Sequence, residues 1–338
     1  MPLPSDDARR ILEGMHHAAH AVLGMHKSGG TVEVVCRIAN AEKVEVVDQK
    51  TGRSISRLEP LDGSVFAGTM PRRKKCFPYK LRASKQGHVW EFQDPYAFGP
   101  IIGEVDQHLF NEGRHQRLWQ MLGAHVMVHG GVAGTHFAVW APNASSVAIV
   151  GDFNAWDGDA HIMRPVAQTG VWELFLPGIG EGETYKYKIT DRHGKPLPLK
   201  ADPVGFGSEH APNNASIVRR LDGFEWHDSN WMSSRQKTAS IDRPVSIYEV
   251  HLGSWRTVPE ENNRPLSYLE HAAQLVDYAK NMGFTHIELM PISEFPFDGS
   301  WGYQPIGLFS PTIRYGTLNE FRDFVQACHQ ADLGLILD

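Results

Sequence analysis

In the first part of the chain, apolar and polar residues alternate in short runs. Residues 31–36 and 44–47 alternate β-branched with polar side chains, and glycine, proline, asparagine or aspartate interrupts the pattern every ~8–12 residues. Later runs at 136–140, 146–150, 171–176 and 185–190 have the same character. This pattern predicts short antiparallel strands, and strands at this spacing are typical of a β-sandwich.

The alternating region contains an internal repeat. Asn-Ala-x-x-Val at 40–44 recurs at 143–147, Tyr-Lys at 79–80 recurs at 185–186, and Asp-Pro at 94–95 recurs at 202–203. Because the order is kept while the offset drifts slowly, we interpret the region as two copies of one all-β domain. We expect the two copies to superpose.

A short helix over residues 7–20 is predicted before the first copy. It carries His16, His17 and His20, which include an i, i+4 pair that could bind a metal ion. No acidic or cysteine partner accompanies them in the sequence. We therefore favour a solvated polar face and predict no metal site.

From about residue 240 the hydrophobic period changes. Residues 245–250, 285–290 and 333–338 predict strands, and helical patterns lie between them. Each helix begins with a capping box, Ser267-x-x-Glu270 and Thr317-x-x-Glu320. The βαβαβ order predicts a parallel sheet.

Composition narrows the function. The chain has 338 residues, is 41% hydrophobic and carries a net charge of −6, which argues against a nucleic-acid partner. No apolar run approaches the ~20 residues of a membrane span, and the N-terminus has no signal-peptide pattern. Three cysteines without a close pair favour a reducing, cytoplasmic setting.

These patterns predict a multidomain protein with two all-β immunoglobulin-like sandwiches, at 1–115 (with the short leading helix) and 116–228. Residues 229–338 would then be the truncated start of a (β/α)₈ barrel, which needs ~250 residues when complete. We expect the chain to be the front part of a longer protein, whose remaining barrel or another chain covers the open sheet. The alternative is a small three-stranded α/β domain. We disfavour it because no helix would then cover one face of the last parallel strand.

The chemistry is expected in the loop after the second parallel strand, because active sites of such folds lie at the strands' carboxyl ends. This long loop, 291–305, interleaves aromatic and polar residues. Trp301 and Tyr303 could offer flat apolar faces to a sugar. Glu294, Asp298 and Gln304 could bind its hydroxyl groups, while two phenylalanines, Phe295 and Phe297, are expected to pack the loop.

The same loop carries a resemblance. Phe-Asp-Gly-Ser-Trp-Gly-Tyr-Gln-Pro at 297–305, after Ile-Tyr-Glu-Val-His-Leu-Gly-Ser-Trp at 247–255, closely resembles the bacterial 1,4-α-glucan (glycogen) branching enzymes of the α-amylase superfamily. Asp-Pro-Tyr-Ala-Phe-Gly-Pro at 94–100 resembles their extra N-terminal module. Gly-Asp-Phe-Asn-Ala-Trp-Asp at 151–157 resembles their glycan-binding-type sandwich. The resemblance covers nearly the whole chain.

The resemblance implies an enzyme of glycogen biosynthesis that cleaves an α-1,4 glucan and transfers the chain to a 6-hydroxyl by retaining double displacement, without a cofactor. Tyr303 matches the tyrosine beside the scissile bond. Asp338 matches the first aspartate of the first signature motif, which orders catalytic side chains. The nucleophile and the acid/base would lie beyond Asp338, so no catalytic residue is expected in this chain, which should be inactive alone.

For the second sandwich, the resemblance implies glycan binding by Trp156 and Lys186. A second tryptophan of related modules is replaced by Leu199. A role as a spacer that braces the barrel therefore competes with sugar binding. At the level of the whole chain, two other interpretations stay open. One is a debranching or trehalose-releasing relative, and the other is a non-catalytic glycan-binding or scaffolding protein.

Overall fold

The computed structural model describes residues 5–238 and 241–338 and divides the chain into two compact units, the first ending at Asp202 and the second beginning at Pro203. The strands of the first unit are β1 (Gly24–Ser28), β2 (Thr31–Arg37), β3 (Lys43–Asp48), β4 (Ser54–Asp62), β5 (Val65–Met70), β6 (Tyr79–Lys85), β7 (His88–Phe92), β8 (Gly123–His129), β9 (Val132–Trp140), β10 (Ala144–Gly151), β11 (Arg164–Pro165), β12 (Val171–Pro177) and β13 (Thr184–Asp191). Its helices are α1 (Ser5–Leu12), α2 (Glu104–Asn111) and α3 (Leu118–Met121), with 3₁₀ turns at Ala19–Ala21, Pro95–Ala97 and Asp152–Asn154.

The first β domain, β1–β7, is a folded antiparallel sheet in the order β1-β2-β5-β4-β3-β6-β7. Because apolar and polar residues alternate along each strand, the apolar side of the strand faces the core of the domain. Val34 of β2 and Val46 of β3 are fully buried and belong to one core that both halves of the sheet share. Alternating burial therefore produces two layers around a single core.

The second β domain, β8–β13, repeats this pairing. β8-β9-β12-β11 form one antiparallel sheet, β10 pairs with β13, and a bridge from Ala148 to Ile162 joins the region of β11 to β10. With β11 in the place of β4, the order matches that of the first β domain. The predicted internal repeat is confirmed in its strand pairing.

Each β domain ends on a buried aspartate bound by tyrosine. The Tyr79 hydroxyl donates to Asp94 at 2.5 Å, and the hydroxyls of Tyr185 and Tyr187 donate to Asp202 at 2.8 and 3.0 Å. In each β domain, the tyrosine of the Tyr-Lys motif thus donates a hydrogen bond to the aspartate of the Asp-Pro motif. Burial raises the pKa of Asp94 to about 6, although the bond from Tyr79 acts in the opposite direction.

The leading helix and its histidines differ from the prediction. α1 ends at Leu12, and Ala19 and Leu23 then pack with Val65 and Ile162 of the two β domains. His17 is exposed, as predicted, whereas His16 is buried and His20 is half-buried. Neither ring nitrogen of His20 has a hydrogen-bond partner among the residues described. Burial therefore lowers the pKa of His20 to about 3.

The cysteines and histidines form no metal cluster in residues 5–238 and 241–338, because no three metal-binding side chains come together there. Cys36 and Cys328 are buried thiols, as expected, whereas Cys76 is exposed. Across the same residues, no helix has both the length and the apolar character needed to cross a bilayer.

The second unit contains a three-stranded parallel sheet of β15 (Ile247–Val250), β18 (His286–Leu289) and β21 (Gly334–Leu337), in that order. Its crossover helices are α6 (Tyr268–Asn281) and α7 (Leu318–Gln330). The predicted βαβαβ order is confirmed. Ser267 and Thr317 cap α6 and α7 through the predicted boxes. The strands of this unit are β14 (Ser216–Ile217), β15 (Ile247–Val250), β16 (Thr257–Val258), β17 (Arg264–Pro265), β18 (His286–Leu289), β19 (Ser293–Glu294), β20 (Gly307–Pro311) and β21 (Gly334–Leu337). Its helices are α4 (Ser229–Thr238), α5 (Leu252–Trp255), α6 (Tyr268–Asn281) and α7 (Leu318–Gln330), with 3₁₀ turns at Pro259–Glu261 and Ile313–Tyr315.

The two faces of the parallel sheet differ in polarity. Ile287 and Leu289 are fully buried in a core shared with α6 and α7. The opposite face carries Glu249, Glu288 and His286, and Gly334 makes room there because a Cβ would lie 2.2 Å from the His286 ring. Ile247, which pairs with His286 on that face, is 44% exposed, so the sheet leaves both polar and apolar side chains uncovered.

Replacing Asp94 by Asn should remove a pH-dependent loss of stability in the first β domain. The pKa of Asp94 is higher in the folded than in the unfolded chain. The folded state is therefore most stable below about pH 4, and it loses this stability as the pH rises through about 6. A shift of about two units corresponds to on the order of 3 kcal/mol. As the pH rises from 4 to 8, the folding stability of Asp94→Asn relative to that of the native chain should therefore increase by this amount.

Amide exchange at Val34 and Val46, compared between the two proteins at each pH, measures this difference. A difference that stays constant with pH would show that Asp94 does not titrate in this range.

Candidate functional site

The carboxyl ends of β15, β18 and β21 lie at one edge of the parallel sheet. Beyond β18, the Met290 amide donates to the carbonyl of Val250, and beyond β21 the Asp338 amide donates to the carbonyl of Leu289 at 3.1 Å. The backbone hydrogen bonds of the parallel sheet therefore continue past the strands and fix the backbone position of Asp338. This edge also receives the long loop that leads away from β18.

Tyr303 and Asp338 meet at this edge. The Tyr303 hydroxyl donates to the Asp338 carboxylate at 2.6 Å, across 35 positions of sequence. This hydrogen bond, together with the negative charges of Asp338, Glu249 and Glu288, raises the pKa of Tyr303 to about 12. Tyr303 is 49% exposed, so its ring remains accessible while its hydroxyl is held.

Trp301, Tyr303 and Gln304 line one shallow depression of about 270 Å³, together with Phe297, Gly299 and Ser300. Trp301 is 66% exposed. Gly302, between the two aromatic residues, has φ +93°, and a Cβ there would lie 2.6 Å from the Pro291 carbonyl oxygen. Only glycine lets the loop pass so close to Pro291, and the two neighbouring rings are thereby presented outward.

Asp298 and Glu294 belong to a charged network behind the depression. Arg314 binds both carboxylates, with 2.9 Å from its Nε to Asp298, and its guanidinium lies 3.9 Å from the Phe295 ring centre. His210 is also 3.1 Å from Asp298. Glu294 is fully buried. The suggestion that Glu294 binds sugar hydroxyls was therefore wrong, and its role is to hold the loop.

Phe295 and Phe297 differ in environment. Phe295 is buried, as expected of a packing residue, but Phe297 is 57% exposed and lines the depression. The assignment of Phe297 to packing was wrong. The surface of the loop thus offers three exposed rings, with amide and hydroxyl groups beside them. Flat apolar faces next to hydrogen-bonding groups suit a sugar ring, which has apolar C–H faces and a polar rim.

Trp156 and Lys186 lie on the second β domain. The Trp156 indole donates to Asp152 at 2.9 Å, and Asp152 in turn accepts from the Thr184 hydroxyl. Thr184 and Lys186 share the outward face of β13, because side chains two apart on a strand point the same way. The fold therefore brings Trp156 and Lys186 to one face.

Leu199 lies near the same face. Lys200 bridges to Tyr187 of β13, which places Leu199 opposite Lys188, on the side where Lys186 lies. Leu199 is 43% exposed. The position that lacks the second tryptophan is therefore a surface position on this face.

Arg314 and His210 were not foreseen from the sequence. Arg314 lies 20 positions after Glu294 and His210 lies 88 positions before Asp298, and neither belongs to a motif. The only available signal was the presence of two carboxylates in an otherwise aromatic loop, since a buried carboxylate requires a cation or several donors.

Two family descriptions match parts of this chain. They are the N-terminal domain of alpha-1,4-glucan branching enzyme GlgB, over residues 4–96, and carbohydrate-binding module 48 (isoamylase N-terminal domain), over residues 121–205. Trp156, Lys186 and Leu199 lie within the second match.

Relatives named 1,4-alpha-glucan branching enzyme GlgB match the whole chain. The protein of Roseobacter denitrificans is 58% identical over 100% of this chain and 46% of its own length. Those of Paramagnetospirillum magneticum and Rhodospirillum rubrum are 49% and 46% identical, over 99% and 100% of this chain and 45% and 46% of their lengths. The chain is similar to the N-terminal part of the 1,4-α-glucan branching enzymes. It spans about half the length of the curated relatives that it matches.

Arg314→Met should strongly destabilise the second unit. The buried Glu294 would lose its cation and keep only neutral donors, among them the Ile313 amide at 3.0 Å. Removing one partner of a buried ion pair typically costs ~3–5 kcal/mol. Amide exchange at Ile287 and Leu289 measures the loss.

The control for this experiment is the double variant Glu294→Gln/Arg314→Met, which removes the charge that Arg314 compensates. It should recover a large part of the stability. A double variant as unstable as Arg314→Met alone would show that the ion pair is not the stabilising feature.

Asp338→Asn should lower the pKa of Tyr303 from about 12 towards the ordinary value of about 10, because the variant removes both the acceptor carboxylate and its charge. Tyrosine ring ¹³C shifts followed by NMR during an alkaline titration measure it. Tyr315 serves as an internal control, because burial raises its pKa to about 12 without Asp338. An unchanged Tyr303 titration would contradict the assigned hydrogen bond.

Proposed function

We propose that this chain forms the N-terminal, glucan-binding part of a 1,4-α-glucan branching enzyme of glycogen biosynthesis. The enzyme would cleave an α-1,4 glucan and transfer the released chain to a 6-hydroxyl by retaining double displacement. The observation that carries the proposal is the hydrogen bond between Tyr303 and Asp338 at the carboxyl edge of the parallel sheet, beside the exposed Trp301. Active sites of parallel α/β folds lie at this edge.

In this proposal the sheet β15-β18-β21 begins a (β/α)₈ barrel. The domain organisation would be two immunoglobulin-like sandwiches, 1–115 and 116–228, followed by barrel residues from 229 onward. The polar face with Glu249 and Glu288 supports an interior position, since a barrel's active centre is lined by polar side chains at the strand ends. The remaining segments or another chain would cover the sheet.

Each site residue then has a role. The Tyr303 ring would stack against the sugar on the non-reducing side of the scissile bond, with Trp301 and Gln304 beside it and Asp298 supporting the loop through Arg314. Asp338 would order neighbouring side chains, which is consistent with its bond to Tyr303. Retaining chemistry needs two carboxyl groups about 5–5.5 Å apart, as nucleophile and as acid/base. We assign neither role to residues 1–338, and a polypeptide limited to them should not branch glucan.

The second β domain would bind glucan through Trp156 and Lys186. The match to a carbohydrate-binding module over 121–205 and the common face of the two side chains support this role. Because the polymer substrate of glycogen biosynthesis lies in the cytoplasm, we place the protein there. No cofactor or metal ion takes part in this chemistry.

Residues 1–338 should migrate more slowly in native gels that contain amylopectin, and Trp156→Ala should weaken the retardation about five- to tenfold in apparent affinity, ~1–1.4 kcal/mol. Leu199→Ala is the matched control, since it truncates another exposed apolar side chain of the same face and should have little effect. The iodine spectrum of amylose incubated with the same protein should not change. Equal loss in both variants, or branching by the purified polypeptide, would contradict the proposal.

A further inference from the structure

A cleft of about 400 Å³ lies between the two β domains, within the first unit. The end of β2, part of β7 and the segment 93–96 form one wall. The other wall is the segment 152–161 of the second β domain, with the end of β12. Its volume is in the lower range of small-molecule sites. The cleft is separate from the depression at Trp301 and Tyr303.

Aromatic side chains from both domains line the cleft. Trp90 and Phe92 belong to β7, and Phe153 belongs to the segment 152–161. Trp90 and Phe92 are partly exposed, although both also pack against the core of the first β domain. The cleft thus offers partly exposed aromatic surface on both sides.

Among the residues that the structure describes, the lining of the cleft contains one permanently charged cation, Arg37, which binds Asp157 at 3.2 Å. Asp94, also in the cleft, is bound by Tyr79 and adds negative rather than positive charge. An anion would find no uncompensated cation here. Asp94 is 1% exposed and already accepts from Tyr79 and from the Tyr96 amide, so it offers a cation no accessible charge, and the cleft favours a neutral ligand.

Hydrogen-bonding capacity nevertheless remains. The Arg37 side chain is 9% exposed, and its Nε has no partner among the described residues. Asn154 donates to Nδ1 of His161 at 3.0 Å, and burial lowers the pKa of His161 to about 4. The neutral ring therefore carries its proton on Nε2. The Nε of Arg37 is itself enclosed and out of a ligand's reach, so the donor that the cleft offers is the Nε2–H of His161.

We propose that the cleft between the β domains binds a short neutral saccharide. The partly exposed rings of Trp90 and Phe153 contact the apolar faces of the sugar. The Nε2–H of His161 donates to one of its hydroxyl groups. The choice of α-1,4-linked glucose as the sugar rests on the proposed function, whereas the preference for a neutral polyhydroxylated ligand rests on the cleft itself.

This site is lined by residues other than those of the face proposed above. Trp156 is held outward through Asp152 and Thr184, whereas Asp157 and His161 line the cleft. A glucan chain and a short saccharide would thus contact different residues of the segment 152–161. Variants can therefore separate the two sites.

The test uses residues 1–338 titrated with maltotriose and followed by NMR of the Trp90 and Trp156 indole groups. Ala39 is exposed and lines the cleft, so Ala39→Trp should fill the cleft without disturbing the core. Gln116→Trp introduces the same side chain at an exposed position outside the cleft and is the control.

We expect maltotriose to shift the Trp90 signal in the native chain, in Gln116→Trp and in Trp156→Ala, with an affinity at least about tenfold weaker in Ala39→Trp. Trp90→Ala should likewise abolish the chemical-shift changes at the side-chain amide of Gln93, another residue of the cleft. A Trp156 shift without a Trp90 shift would overturn the cleft site alone. A Trp90 shift without a Trp156 shift would contradict the proposed glucan face. Equal shifts with inorganic phosphate would overturn the neutral-ligand assignment.

Discussion

Buried carboxylates fix the points at which this chain passes from one structural element to the next. Asp94 and Asp202 end the two β domains, Glu173 lies beneath the segment that connects them, and Glu294 begins the loop that carries Trp301 and Tyr303. Each is at most 1% exposed. An ionised group in such a position costs several kcal/mol unless donors surround it. The chain around each carboxylate must therefore adopt the conformation that supplies those donors.

Glu173 illustrates how this constraint builds the first unit. It accepts hydrogen bonds from the amides of Ile101 and Ile102 at 3.2 and 3.1 Å and from His136 at 3.0 Å. Arg164 lies 3.4 Å from the same carboxylate and donates to the carbonyl of Gly99 at 2.7 Å. The connecting segment is thus attached to the second β domain over several consecutive residues. The first β domain is held against it, and the cleft between them follows from this attachment.

Local signals allowed much of this architecture to be predicted. The capping boxes at Ser267 and Thr317 act within four residues, and the repeated Tyr-Lys and Asp-Pro motifs occupy equivalent positions of the two β domains. The position of Tyr303 and Asp338 at one edge followed from the parallel order of the strands. Other contacts could not be predicted, since partner choice over long sequence separations depends on the completed fold. Arg37 and Asp157, for example, are 120 positions apart.

The polar face of the parallel sheet could not be predicted because its strands were classified by their overall apolar character. In β18, Ile287 and Leu289 alternate with His286 and Glu288, and a shift by one residue would exchange the two faces. Helices α6 and α7 cover the apolar face, which fixes the register. The charges of Glu249 and Glu288 then remain on the other face, where they raise the pKa of Tyr303. The packing of the helices therefore determines the electrostatic environment of the site, although neither helix contributes a side chain to the shallow depression at its surface.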